Sequence, residues 1–92
     1  MTVSELPEEL RHIIYHSLGY DKKRPEIAWR NRFVATPDSK DDLFCEKLVE
    51  FGMMRKYHSG NESDMFPMNS YCVTGDTILE VSRITKKRIS VQ

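Results

Sequence analysis

The chain has 92 residues, 39% hydrophobic and 30% charged, which suits one small ordered domain rather than a disordered chain or several domains. Its 14 basic and 14 acidic residues cancel, whereas a protein that holds nucleic acid by charge alone carries a clear basic surplus. No run approaches the roughly 18 apolar residues of a membrane span, and MTVSELPEEL has no signal-peptide core, so the cytoplasm is the expected location.

A domain of this size buries only about 60–65% of its unfolded surface, so its core is thin. Cys45 and Cys72, both flanked by apolar residues, read as small buried hydrophobes with reduced thiols.

The first predicted helix runs from about Leu6 to Leu18. Ser4 is the expected N-cap, acids fill the first turn, Pro7 sits where its missing N–H costs little, and Gly19 suits the C′ position. Leu6, Leu10, Ile13, Ile14 and Leu18 recur at spacings of three and four and form one apolar stripe. His12 and His16 fall on the other side.

Residues 20–39 are less regular. Pro25 favours the first position of a short helix through about Arg32, and an extended strand over Trp29–Ala35 is the alternative. Trp29, Phe33 and Ile27 are the expected core contributions.

The second strong helix spans about Lys40–Phe51, capped by Ser39 or Asp38 and ended by Gly52. Phe44, Cys45, Leu48, Val49 and Phe51 make its buried face. Asp42, Glu46 and Glu50, four residues apart, are expected to line its exposed face.

Met53–His58 reads as a strand and Ser59–Asp64 as a polar turn. Pro67 confines the returning strand to about Ser70–Val73. Thr74 is the expected N-cap of a last helix, with Ile78, Leu79, Val81 and Ser82 turned inward. The basic tail from about residue 86 is expected to fray.

The run EKLVEFGMMRKY, a polar tip and YCVTGDTILEV resembles the helix, wing and closing helix of winged-helix domains. The resemblance covers about half the chain and implies a small α+β domain of three helices and a β-hairpin. It leaves function open, since that fold serves DNA binding, protein docking and structural roles alike. LPEELRHIIYHSLGY, WRNRFVATP, KLVEFGMM and YCVTGD together resemble small uncharacterised proteins of tailed phages and prophages of enteric bacteria. The present wing is more acidic and less Gly-rich than in that group. This second resemblance implies action inside an infected bacterium and no particular activity.

The chemistry-bearing residues form no catalytic constellation. There is no G-x-S-x-G, no Gly-rich phosphate loop and no paired-carboxylate signature, so no enzyme and no cofactor are expected. His12 and His16 have an i, i+4 spacing that can hold a metal, but neither Cys-x-x-Cys nor HExxH accompanies them. Two solvent-facing histidines are the plainer reading.

Two binding surfaces remain. The first joins the stripe Asp42, Glu46 and Glu50 to Met65 and Phe66, as a docking surface for a basic protein partner. The second joins Arg30, Arg32, Arg55 and Lys56 as a phosphate-binding patch. In a winged helix the Lys40–Phe51 helix would face the major groove, where a carboxylate row repels phosphate. A solvated helix face for the stripe, and ordinary solubilising charges for the basic groups, are the plainer readings. The sequence therefore favours a non-enzymatic module acting through protein contacts, with a DNA-binding regulator as the alternative. Met65, Phe66 and Met68 sit beside a polar turn, where an exposed apolar patch would mark a partner or homodimer contact.

Overall fold

The computed structural model describes residues 2–19, 27–28, 31–61, 65–85 and 88–89. The N-terminal apolar stripe folds as its spacing requires. One 3-10 turn, Val3–Glu5, leads into α1, Glu8–Ser17. Leu6, Leu10, Ile13, Ile14 and Leu18 are all buried. The cap differs from expectation: Pro7, not Ser4, precedes the helix, because the 3-10 turn takes up residues 3–5. Gly19 ends this segment at φ +70°, a left-handed conformation that costs glycine little.

The expected helix from Pro25 to Arg32 is not what its described residues form. Ile27–Ala28 is a short extended strand, β1, paired in parallel with β5, Arg88–Ile89. Phe33–Ala35 is β2, as the extended alternative had it for the second half of this stretch. Sheet pairing supplies the hydrogen bonds that a short isolated helix would otherwise need to make alone. The frayed basic tail expected from about residue 86 lies outside the described residues apart from Arg88 and Ile89.

Helix α2, Lys40–Glu50, starts at Ser39, whose side chain accepts from the Asp42 N–H at 3.2 Å. Gly52 follows its end at φ +76°. Strands β3, Met54–His58, and β4, Asn69–Val73, then run antiparallel. Helix α3, Gly75–Thr85, follows. The sheet order is β2-β4-β3, antiparallel throughout. The protein is thus α+β, with three α-helices and a three-stranded antiparallel sheet among the described residues.

The core lies between α1, α2 and one face of this sheet. Tyr71 and Val73 of β4 and Met54 of β3 meet Ile13, Ile14, Cys45 and Leu48 there. Val81 of α3 and Val3 belong to the same cluster, and the Glu80 carboxylate accepts from the Val3 N–H at 3.0 Å. Leu79, expected inward, is 57% exposed, because it lies on the far side of α3 from Val81.

The Asn31 side chain extends the β2–β4 pairing beyond β2. Its Nδ2 donates to the Val73 carbonyl at 3.0 Å and its Oδ1 accepts from the Val73 N–H at 2.6 Å. A carboxamide thus mimics one more rung of the ladder for a buried residue. Asn31→Ala strands both Val73 groups and is expected to lower stability by about 1–3 kcal/mol in urea unfolding, with the slope unchanged. Asn31→Ala with wild-type stability would show the rung to be dispensable.

Candidate functional site

At about 100° per residue along a helix, Asp42 lies only about 60° from Cys45, as close to the buried centre line of α2 as Leu48 is. Glu50 lies about 140° away from it. The carboxylates of the stripe therefore do not share one face. Each step of four residues drifts by about 40°, carrying the row from the core edge to solvent.

Asp42 is 4% exposed, which corrects the expectation that it faces solvent. Its Oδ1 accepts from the Tyr71 hydroxyl at 2.6 Å and from Asn69 Nδ2 at 3.0 Å. Its Oδ2 accepts from the Asp38 N–H at 2.9 Å, in the turn before α2 where Asp38 takes φ +63°. Aspartate is among the few residues that enter that region readily. Burial alone would raise the Asp42 pKa, but the hydrogen bonds from Tyr71, Asn69 and the Asp38 backbone together hold it below the ordinary value.

Glu46, one turn on, is half-buried. It pairs with Lys56 Nζ and shares the single Tyr71 hydroxyl proton with Asp42, its own oxygen lying 2.8 Å from the phenol oxygen. The Lys56 bond and then Tyr71 lower its pKa. Lys56 also lies over the Tyr71 ring, 5.5 Å from its centre. Burial and the two carboxylates push the ionisation of the Tyr71 phenol up, so it stays a donor. Burial, with the nearby acids adding to it, raises the Cys45 thiol to about 12, far from nucleophilic use. Glu50 stands in solvent and pairs at 3.7 Å with Lys47, a surface contact of small worth.

The proposed acidic docking stripe is thus largely consumed within the fold. Lys56, expected in the basic patch, is consumed with it. Arg30 lies outside the described residues.

The other sheet face carries the remaining candidates. The register sets Arg55 opposite Cys72, and Val34 and His58 opposite Ser70. One residue earlier, Arg32 continues β2 on the side of Val34. Arg55 Nη2 lies 3.8 Å from Cys72 Sγ. Arg32, Val34, His58, Met65, Phe66, Met68 and Ser70 surround a depression of about 430 Å³. Met65 is 88% exposed and Phe66 80%. No described carboxylate lines this depression.

Gly60 and Met68, which flank Met65 and Phe66 in sequence, both have contacts with the body of the fold. The Gly60 N–H donates to Asn69 Oδ1 at 3.0 Å, so one carboxamide joins this loop to buried Asp42. A Cβ on Gly60 would collide with the Met68 backbone nitrogen and with the Pro67 carbonyl carbon at 2.8 Å. The Thr36 hydroxyl reaches Met68 Sδ at 3.7 Å. Sequence reasoning missed Asn69, Tyr71 and Gly60. The short spacing from Asp42 to Cys45 was the available signal for Asp42. The partners across the sheet carry none.

His12 and His16 stack at 6.0 Å between ring centres, and no group of three or more potential ligands gathers around a metal position among the described residues. No described helix is long and apolar enough to cross a membrane. No protein-family model, curated protein or solved structure matches the chain.

Tyr71→Phe removes the one hydroxyl that faces both carboxylates and is expected to cost about 1–3 kcal/mol in urea unfolding. A cost of a few tenths would mean that water replaces it. Asp42 and Glu46 have folded pKa values below their ordinary 3.8 and 4.5. Their contribution is therefore complete above those ordinary values and is lost as pH falls through the lower folded ones. Urea midpoints taken from pH 6 downward should drop through the acid range (about pH 5 to 2), with a shallower drop in Asp42→Asn. A parallel drop in both proteins would place the acid sensitivity elsewhere.

Proposed function

We propose that the protein is a non-enzymatic binding module acting through protein contacts, and that its working surface is the outer face of the sheet with Met65 and Phe66. The observation that carries this reading is the exposure of two adjacent large apolar side chains, 88% and 80%, on a segment tied down by Asn69, Gly60 and Thr36. Large apolar side chains exposed to water suit contact with another molecule better than they suit the isolated domain. Methionine beside an aromatic ring is also the composition of pliable docking surfaces. The acidic helix takes no part, since Asp42 and Glu46 already have partners.

The winged-helix and phage resemblances remain compatible with this proposal. The order α1, β2, α2, β3, β4, α3 and the sheet order β2-β4-β3 support a winged-helix-like arrangement. The 59–68 connection would then be the wing. The single helix between β2 and β3 departs from it. A DNA-binding regulator is the second reading, favoured by one observation: Arg32 and Arg55 stand on a sheet face turned away from Asp42 and Glu46.

The test uses the tagged full chain as bait in a lysate of an enteric bacterium. A protein partner should be retrieved by the wild type and by Glu50→Lys, and lost with Met65→Ser/Phe66→Ser. Retrieval unaffected by the loop variant, or lost with Glu50→Lys alone, would overturn the choice of surface.

A further inference from the structure

We infer that the outer sheet face takes an extended acidic segment of a partner protein, with carboxylates on Arg32 and Arg55 and an apolar side chain between Val34, Met68 and Phe66. This inference rests on the binding surface proposed above and names the partner's chemistry.

Charge complementarity selects the partner. On this face the permanent charges among the described residues are the two guanidinium groups of Arg32 and Arg55. Lys56, the neighbour of Arg55 in sequence, points through the sheet to Glu46. The described acids of α2 that approach the sheet, Asp42 and Glu46, lie on the other side, bonded to Tyr71. No carboxylate among the described residues answers either arginine, and a basic or neutral segment would add none. An acidic one meets each with a bidentate geometry that guanidinium favours.

Spacing fits an extended chain. Arg32, just before β2, and Arg55, on β3, flank β4, about two strand spacings or roughly 10 Å apart. Carboxylates two residues apart on an extended chain share one side and span about 7 Å, a difference that two long arginine side chains can close. The depression beside them, lined by Val34, Met68 and Phe66, would take the apolar side chain between or beyond.

A nucleic acid fits less well. Two phosphate contacts give a salt slope of only about −1.4 to −1.8, against 6–10 contacts in proteins that depend on the backbone. Met65 and Met68 offer no flat stacking surface, which leaves Phe66 and His58 as the rings on which a base could stack.

The experiment titrates the full chain, labelled for amide NMR, with three probes. The first is a peptide of about ten residues with Glu, Glu, Leu and Phe at every second position and Ser between them, so that all four face one side of an extended chain. The second has Lys in place of Glu, and the third is an oligothymidylate of equal charge. The acidic peptide should shift the amides of Val34, Ser70 and Phe66 and bind at least about tenfold tighter than the lysine peptide. Arg32→Glu/Arg55→Glu should weaken it about tenfold or more, the loss expected for charge-assisted bonds. Phe66→Ser should weaken it several-fold, with circular dichroism unchanged in both variants.

Tighter binding of the oligonucleotide, lost in the same arginine variant, would overturn the inference in favour of a nucleic acid. Equal binding of the two peptides, weakened by Phe66→Ser but not by the arginine changes, would overturn the acidic chemistry and leave the surface standing. No amide shift on this face with any probe would overturn both.

Discussion

A carboxylate under a sheet is costly unless every acceptor site is answered, and the Asp42 carboxylate is the constraint around which this domain is arranged. One of its oxygens holds the turn before α2 through Asp38, and the other holds β4 through Tyr71 and Asn69. The same residue follows the Ser39 cap and donates its own N–H to it. The start of α2, the turn before it and the middle strand of the sheet are thereby fixed to one another by one side chain. Apolar burial of Cys45, Leu48 and Tyr71 brings these elements together, and Asp42 sets how they meet.

Asn69 carries that constraint outward. Its carboxamide gives its N–H to Asp42 and takes the Gly60 N–H, so the connection after β3 begins in a fixed place. Gly60 lets the returning backbone at Pro67 and Met68 come close where any side chain would collide. The exposed pair Met65 and Phe66 is then carried by a loop anchored from the core. The ion pair of Glu46 and Lys56 completes the inner side. It removes one base and one acid from the surface and leaves the outer face to Arg32 and Arg55. A net charge of zero conceals that Asp42 and Glu46 lie on one side of the sheet and Arg32 and Arg55 on the other.

Much of the fold was legible in the sequence. The stripe from Leu6 to Leu18, the Ser39 cap and the left-handed glycines at 19 and 52 each follow from local rules, and each is present. The strands 54–58 and 69–73 also fall within a residue of where the polar turn and Pro67 put them. The short helix over 25–32 did not follow, since pairing with the distant residues Arg88 and Ile89 decides Ile27 and Ala28. The candidate site was half legible. Exposure of Met65 and Phe66 could be read from their polar surroundings. The fate of Asp42, Glu46 and Lys56 could not, because it depends on Tyr71 and Asn69, which are 25 or more residues away in the chain for Asp42 and Glu46. A four-residue repeat suggested a common face, whereas helical drift separates Asp42 from Glu50 by about 80°.

The most direct measurement is a carboxyl-carbon NMR titration of Asp42 and Glu46 in the wild type and in Tyr71→Phe. An internal, donor-satisfied Asp42 requires a midpoint below the ordinary aspartate value, with Glu46 also lowered, and both should rise when the tyrosine hydroxyl is removed. Midpoints at the ordinary values, unmoved by Tyr71→Phe, would mean that the two carboxylates stand free on the surface of α2, and would contradict the assignment of acids to the interior and binding to the outer face.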